Sequence, residues 1–261
     1  AEDDEKGPEI GDEARLRRRR VAQRREVERV IAGEADDAER EKRRTAMGEP
    51  YRTLLGHFRH EIGHWYWDLL VRDGGALAEC RAVFGNDEED YGQALQNHYA
   101  NGPKPDWQNE FVSSYAGAHA WEDFAETWAH YLHIIDSLET GGSWGITLQP
   151  RLDREGILTT DLDFKVYDDA TTIEQIVEAW TALSSALNSL NRSMGLPDLY
   201  PFVLSPAVVG KLGFIHDLVH TEDLLNEHAH RRIIMHAQDV RFAIQIQATV
   251  QHGVTIKLAK A

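Results

Sequence analysis

Cysteine is nearly absent from this sequence, since Cys80 is the single one among 261 residues. One cysteine excludes a disulfide framework, a zinc ribbon or any other cysteine-rich metal site built by this chain. Uninterrupted apolar runs are missing too, and none reaches the roughly 18 residues that a membrane-spanning helix needs. If the chain holds a metal ion, its nitrogen ligands must therefore come from its 13 histidines.

Positive charge is also scarce. The chain has 28 lysines and arginines against 44 aspartates and glutamates, which gives a net charge of −16. An acidic surface repels phosphate backbones, so the composition argues against nucleic acid as a main partner. No signal peptide is recognisable, and we expect a cytoplasmic protein that does not interact with membranes.

Strand-forming patterns are few, and the sequence predicts a mainly α fold with little β structure. The chain divides by composition into three regions. Residues 1–33 form a charged segment, helical or disordered, and residues 34–219 form the main domain. Residues 220–261 are predicted to be a helical extension with a strand-like run at 254–256.

Hydrophobic spacing and capping residues predict the main helices of the domain over residues 51–71, 88–99, 121–138, 172–190 and 206–219. A shorter charged helix is predicted to begin near Ala35. Asp73-Gly74-Gly75 is expected to end the helix over 51–71, and Gly141-Gly142 to break the chain after the helix over 121–138. Residues 146–170 are loop-like, with Pro150 and many aspartates.

The motif His60-Glu61-Ile62-Gly63-His64 lies inside the helix predicted over 51–71. Residues four apart stack on one helical face, about 6 Å apart along the axis. Two imidazoles placed in this way can bind one Zn²⁺ at about 2.0–2.1 Å. Glu61 lies about 100° around the helix, where it cannot easily be a ligand but can accept a proton from a metal-bound water.

The alternative interpretation of this motif is a pair of solvated histidines on a helix surface. Its neighbours argue against that, because they make the helix apolar on nearly all sides: Phe58, Ile62, Trp65 and Trp67. Buried histidines need partners. Gly63 also costs about 1 kcal/mol relative to alanine inside a helix, which indicates a close approach of another part of the chain. The sequence therefore favours metal binding.

A catalytic zinc site needs a third protein ligand and an open position for water. Glu122 and Glu126 lie four apart on one stripe of an otherwise aromatic helix, where a cation or a histidine would relieve their repulsion. We assign Glu122 as the third ligand and Glu126 as an acceptor for a ring N–H of His60 or His64. The alternative is an exposed acidic helix face.

Other residues compete for the third ligand position: His119, His130, His133 and Asp68. His130 continues the stripe of Glu122 and Glu126, so we expect it to lie near the site behind the ligands. A developing oxyanion also needs a hydrogen-bond donor. Tyr115, seven residues or about two helical turns before Glu122, is the first candidate, and His119 is the second. The alternative for Tyr115 is a plain core tyrosine.

Two weaker groupings have ordinary explanations. The acidic run at residues 87–90 could favour a basic substrate or Ca²⁺, but acidic residues are common at a helix N-terminus. Five histidines could form a second metal site, but their irregular spacing is more typical of surface residues: His216, His220, His228, His230 and His236.

Three stretches of the sequence together carry a family resemblance. They are residues 48–68 (GEPYRTLLGHFRHEIGHWYWD), residues 121–133 (WEDFAETWAHYLH) and residues 201–209 (PFVLSPAVV). Over residues 33–219 the chain resembles the bacterial family of putative zinc-binding metallopeptidases. Family members usually carry an N-terminal cysteine-rich zinc ribbon, which a single cysteine cannot form.

The resemblance implies a zincin-like helical domain of the gluzincin kind. It implies that His60 and His64 bind zinc and that Glu61 acts as the general base. In other gluzincins an E-x-F-A-E helix supplies the third ligand and a tyrosine stands seven residues earlier. By that comparison Glu122 is the ligand and Tyr115 the tyrosine.

The first functional hypothesis is zinc-dependent hydrolysis of a peptide or protein substrate, with one Zn²⁺ per chain. The second is a zinc-binding or protein-interaction module without turnover, which a fourth protein ligand such as His119 or His130 would support. The third is a helical interaction protein without a metal. These hypotheses differ in metal content and in the number of protein ligands.

Overall fold

The computed structural model describes residues 53–151, 153–162 and 170–220. Its α-helices are α1 (Leu54–Tyr66), α2 (Leu77–Phe84), α3 (Tyr91–Asn101), α4 (Ala120–Ser143), α5 (Ile173–Ser193) and α6 (Pro206–His220). Two short strands, β1 (Thr147–Leu148) and β2 (Thr160–Asp161), pair antiparallel. The described part of the chain is therefore mainly α, as predicted.

Some predictions concern other parts of the chain. The charged segment 1–33, the helix from Ala35 and the run at 254–256 lie outside the described residues. So does the predicted extension 220–261 beyond His220, the last residue of α6. None of the helices in the described ranges combines the length and the apolar character that a membrane span requires.

Helix α1 begins at a capping residue, because the side chain of Thr53 accepts a hydrogen bond from the N–H of Gly56 at 2.9 Å. After Tyr66 the helix widens into a π-helical turn, Trp67–Arg72, which ends at Asp73 as predicted. Such a turn within a helix is frequent at functional sites. Here it directly follows the two predicted histidine ligands and turns Trp67 and other apolar side chains into the core.

Helix α4 is the central element of the fold. It packs against α1, α2, α5 and α6, and several of its side chains have no exposed surface: Phe124, Ala125, Trp128, Ile135 and Leu138. A helix buried on so many sides needs apolar residues around most of its circumference, which explains the aromatic character of the 121–133 stretch. The Glu122 and Glu126 side chains are two of its polar groups that face α1.

The prediction that Gly141-Gly142 breaks the chain is wrong, because α4 continues to Ser143. These glycines allow a close approach instead. A Cβ on Gly141 would lie 2.7 Å from the Cδ1 of Leu162, and one on Gly142 would lie 2.6 Å from the carbonyl oxygen of Leu162. The chain turns at Gly145, whose positive φ of 64° suits glycine.

Helices α5 and α6 cover another part of α4. Thr172 and Gln175 form a reciprocal capping box at the start of α5, in agreement with the predicted cap. At the start of α6 the Ser205 hydroxyl accepts a hydrogen bond from the N–H of Val208, and Pro206 occupies the first helical position. Both helices bury an apolar face that includes Trp180 of α5 and other large side chains.

Three local features differ from the sequence prediction. Helix α2 was not expected, because it is only eight residues long and no side chain caps its N-terminus. Helix α3 begins at Tyr91 rather than at Glu88, since Asp90 caps it by accepting from the N–H of Gln93 at 2.8 Å. The loop-like region 146–170 contains the short β1–β2 pair.

Candidate metal centre

The site lies beside a close approach of α1 and α4. A Cβ on Gly63 would lie 3.0 Å from the Cα of Ala125 and 3.2 Å from the Cβ of Trp128. Glycine is thus needed for the two backbones to come this near. This agrees with the expectation that a residue of low helix propensity at position 63 indicates a close approach of another part of the chain. The contact brings His60 and His64 of α1 beside the first turns of α4, where Glu122 and Glu126 lie.

Three ligand-type atoms converge between these helices. The Nε2 atoms of His60 and His64 are 3.1 Å apart, and the Oε2 of Glu122 lies 3.0 Å and 3.5 Å from them, respectively. Atoms that share one tetrahedral Zn²⁺ at about 2.0–2.1 Å are about 3.3 Å apart. In the described part of the chain, this is the only group of three such ligand atoms that could hold a metal ion.

Glu126 supports His60 from behind. Its Oε1 lies 2.7 Å from the Nδ1 of His60, the contact that the sequence predicted for Glu126, and its Oε2 accepts a hydrogen bond of 2.6 Å from Ser113. A carboxylate at Nδ1 places the ring proton there and leaves the Nε2 lone pair available to a metal. Burial raises the pKa of Glu126, but the hydrogen bonds from His60 and Ser113 and the nearby charges of His60 and His130 together outweigh it and lower the pKa to about 2.

The site attracts positive charge. Burial opposes protonation of His60, yet its hydrogen bonds to Glu122 and Glu126 raise its pKa to about 10. Burial likewise disfavours the anionic form of Glu122, yet hydrogen bonds from His60 and His64 hold its pKa well below the usual value. Two carboxylates and two imidazoles therefore form an environment that stabilises a cation, and their N and O donors suit Zn²⁺.

Glu61 stands apart from the three converging atoms. Its side chain is 22% exposed, against 1% for Glu122, so it can reach solvent. Its Oε1 lies 3.6 Å from the Nε2 of His57, one turn earlier on α1. This placement suits a group that exchanges protons better than one that binds a metal.

Residues 28–218 match the profile of a family described as "Putative zinc-binding metallo-peptidase". The chain belongs to this family. Uncharacterized proteins of Mycobacterium tuberculosis (strain H37Rv) and Mycobacterium bovis are each 47% identical to it over 188 residues. The alignment covers 71% of this chain and 52% of each relative, so the chain spans about half the length of these curated relatives. No solved structure matches the chain.

Membership of the metallopeptidase family agrees with the donor set. The family is described as zinc-binding, and two imidazoles with one carboxylate are a set of three protein ligands used by catalytic zinc sites. The ring of Trp121 lies 3.8 Å, centroid to centroid, from that of His64 and shields it on one side. The resulting low local dielectric strengthens the electrostatic interactions within the site.

Tyr115 lies beside the site but not on α4. It precedes a short 3₁₀ turn, Ala116–Ala118, and His119 then has an extended backbone with φ −157° and ψ 150°. The interpretation of the seven-residue spacing to Glu122 as two helical turns is therefore wrong. The Tyr115 ring is nevertheless 6.0 Å from that of His60, centroid to centroid. Burial raises the pKa of Tyr115, so its hydroxyl stays protonated and can donate a hydrogen bond.

His119 has a structural position. Its Nδ1 accepts a hydrogen bond of 3.0 Å from the N–H of Trp121 and caps α4, while its Nε2 donates to the carbonyl of Glu89 at 3.1 Å. Both ring nitrogens are thus engaged by backbone groups. This arrangement argues against His119 as the oxyanion donor, for which it was the second candidate after Tyr115, and against His119 as a metal ligand.

The other competitors for the third ligand position also have protein partners. Asp68 pairs with Arg72, and the Nδ1 of His133 lies 2.7 Å from a guanidinium nitrogen of Arg59. The Nδ1 of His130 lies 2.8 Å from the hydroxyl of Tyr200 rather than against a zinc-ligand candidate. None of these residues joins the group formed by His60, His64 and Glu122.

Two residues of the site were missed by the sequence analysis. The hydroxyl of Tyr91 donates a hydrogen bond of 2.6 Å to the Oε1 of Glu122, and Ser113 holds Glu126. They lie 31 and 13 residues, respectively, from their partners along the chain. No local motif marks either residue, because each contact is created by the tertiary fold.

Proposed function

We propose that this protein is a zinc-dependent peptidase in which His60, His64 and Glu122 hold one Zn²⁺. The observation that carries the proposal is the convergence of two buried Nε2 atoms and one carboxylate oxygen beside the more exposed Glu61. A Zn²⁺ held by these residues would act as a Lewis acid: it would lower the pKa of a water molecule to about 7 and polarise a carbonyl group.

Glu61 acts as the general base and then as the general acid. Its carboxylate takes a proton from the attacking water while the water oxygen bonds to the carbonyl carbon. It then delivers that proton to the amide nitrogen as the C–N bond breaks and its electron pair passes to nitrogen. The products are a carboxylic acid and an amine, so the reaction needs no further co-reactant.

Tyr115 stabilises the developing negative charge on the carbonyl oxygen. Burial keeps its hydroxyl protonated, and its ring lies close to that of His60. A fixed O–H donor beside the site costs little reorganisation when the charge develops. The Ser113 hydroxyl accepts a hydrogen bond from the N–H of Ala116 at 3.1 Å, which fixes the turn that follows Tyr115.

The proposed substrate is a peptide or a protein, in keeping with the family description. The net charge of −16 argues against a nucleic acid partner. A non-catalytic zinc module would be expected to close the site with a fourth protein ligand. The nitrogens of His119 and the Nδ1 of His130 have other partners, so the arrangement favours an open position and turnover.

The decisive experiment replaces the proposed base while keeping the ligands. We expect Glu61→Gln to retain zinc and to lower kcat/KM by about 10²–10⁴-fold, the usual contribution of general acid–base catalysis. Cleavage is measured with the zinc-loaded full chain on a broad peptide library, read by mass spectrometry. Glu178→Gln, the same change at an exposed position of α5, is the matched control and should cleave at the parent rate.

Three outcomes would contradict the proposal. If Glu61→Gln cleaves the library at the parent rate, Glu61 is not the base. If the parent protein binds no zinc, or if a chelator that removes the zinc leaves its cleavage unchanged, the zinc mechanism is wrong.

A further inference from the structure

Tyr91 reaches the site from outside the α1–α4 pair. It is the first residue of α3, and its hydroxyl lies 2.6 Å from the Oε1 of Glu122. The other oxygen of the same carboxylate, Oε2, faces the Nε2 atoms of His60 and His64. The two oxygens of Glu122 therefore have different partners, one a tyrosine hydroxyl and the other the histidine pair.

We propose that Tyr91 is a positioning residue that holds the Glu122 carboxylate in the orientation needed for metal binding and ties α3 to the site. The proposal rests on the proposed function in one respect, that Glu122 is a zinc ligand. An O–H···O⁻ bond of this length is a strong, charge-assisted one. With Oε1 occupied, Glu122 presents a single oxygen to the metal.

The ring of Tyr91 is itself held in place. It packs edge-to-face against His119, with centroids 5.4 Å apart, and against Trp121, with centroids 5.7 Å apart. Both neighbours belong to the start of α4, next to Glu122 in the chain. These contacts hold the ring so that its hydroxyl oxygen lies beside Glu122, and phenylalanine at this position can keep the same ring contacts.

Helix α3 depends on these contacts because it has no buried residue of its own. The Tyr91 hydroxyl bonds Glu122, the carbonyl of Glu89 just before α3 bonds His119, and the ring of His98 lies 5.8 Å from that of Tyr115. All three contacts join α3, or the residue pair just before it, to segments beside the site. The hydrogen bond to Glu122 thus secures the N-terminus of a helix that the core does not hold.

The first test is the zinc affinity of Tyr91→Phe, measured by competition with a chromophoric chelator. We expect the dissociation constant to rise about 10–100-fold, the usual effect of losing a partner that orients a metal ligand. Tyr131→Phe is the matched control. It makes the same change on α4, where the hydroxyl lies 3.0 Å from the Nδ1 of His216, and its zinc affinity should equal that of the parent.

The second test separates positioning from general destabilisation. In the metal-free full chain, we expect amide hydrogen exchange in residues 91–101 to be faster in Tyr91→Phe than in the parent, with unchanged exchange in α5. A substitution that merely loosened the fold would accelerate exchange in α5 as well.

The proposal about Tyr91 requires both results. Parent-like zinc affinity in Tyr91→Phe, or unchanged exchange in α3, would overturn it. Provided that the parent and Tyr131→Phe each bind one zinc ion, the proposed peptidase function survives such a failure. If the parent itself binds no zinc, the proposed function fails first.

Discussion

Within the residues that the structure describes, two groups of buried histidines differ in how their ring nitrogens are used. Beside the start of α4, the Nε2 atoms of His60 and His64 face each other and a carboxylate oxygen. In a region farther along α4, His216 of α6 contacts the hydroxyl of Tyr131 with one ring nitrogen and the carbonyl of Thr171 with the other. This farther region also includes His130, which lies one turn after Glu126 on α4 and has its Nδ1 2.8 Å from the hydroxyl of Tyr200.

Burial does not distinguish these two regions. His60 and His64 are 7% and 8% exposed, and His130 and His216 are both 6% exposed. The difference lies in the partners, because the histidines of the farther region bond to neutral oxygens whereas those of the site converge with an anionic one. Burial alone therefore does not make a histidine a candidate ligand. Its ring nitrogen must also lie close to other potential ligand atoms that could bind the same ion.

The electrostatic consequence is opposite in the two regions. Hydrogen bonds to two carboxylates raise the pKa of His60 to about 10 against the effect of burial. Desolvation lowers the pKa of His130 to about 4, since the more distant charge of Glu126 compensates only in part. The site stabilises a cation, whereas the farther region keeps its histidine neutral.

The strongest test of the difference between the two regions is to replace one histidine in each of them. We expect His64→Ala to lower the zinc content from about one ion per chain to nearly none, because two remaining ligands hold zinc weakly. His216→Ala should keep its zinc but lose about 2 kcal/mol of unfolding free energy, since it removes the hydrogen bonds of a buried imidazole to the Tyr131 hydroxyl and the Thr171 carbonyl. Elemental analysis and urea denaturation measure the two effects.

A loss of zinc in His216→Ala, with the fold intact, would show that the two regions are not distinct. So would full zinc content in His64→Ala. Metal content should be measured on protein purified without added zinc, so that weak loading at high concentration does not hide the difference.

The pH dependence of stability provides a second test of this difference, because His130 has a lowered pKa. Its pKa falls from about 6.5 in the unfolded chain to about 4 in the folded protein, so the unfolded state binds more protons between these values. The stabilising contribution is present above pH 6.5 and is lost as the pH falls toward 4. Between pH 7 and pH 5 we expect His130 to account for a loss of about 2 kcal/mol.

The measurement compares the parent with His130→Gln, both without metal, by urea denaturation at each pH. Because other groups titrate in both proteins, the quantity of interest is the difference between their pH dependences. Parallel curves would mean that His130 is not held neutral by its surroundings.

The smallest expected effect concerns the close approach of α1 and α4 itself. Gly63→Ala gains about 1 kcal/mol of helix propensity but crowds Ala125 and Trp128, which typically costs about 1–3 kcal/mol. We expect a net loss of about 1 kcal/mol in thermal or urea denaturation. Gly210→Ala on α6, where a Cβ would meet nothing within 4 Å, should instead stabilise by about 1 kcal/mol. Equal effects of the two substitutions would contradict the packing argument.

Much of this site could be predicted from local spacing. The four-residue interval between His60 and His64 needs only helical geometry, and the stripe of Glu122 and Glu126 needs only the same geometry on a second helix. Capping residues such as Thr172 marked where helices begin. These features share one property, that they depend on residues within one or two turns of each other.

The parts that sequence reasoning missed depend on contacts between distant segments. The pair Gly141 and Gly142 is typical of a helix break in the sequence. In the structure these glycines instead allow Leu162, which is some 20 residues further on, to pack closely against the helix. His119 resembles a ligand but caps a helix, a role that its extended backbone conformation determines. Tyr91 has no marking motif, because only the packing of α3 on the site brings its hydroxyl to a carboxylate.

The carboxylate of Glu126 joins two parts of the proposed machinery. One of its oxygens accepts a hydrogen bond from the ring N–H of His60, and the other accepts one from the hydroxyl of Ser113. The same hydroxyl accepts a hydrogen bond from the N–H of Ala116, in the turn after Tyr115. A side chain that serves both cannot shift toward one without straining the other. In the proposed mechanism, the affinity for zinc and the rate of turnover therefore both depend on Glu126, so a substitution of this residue is expected to change both.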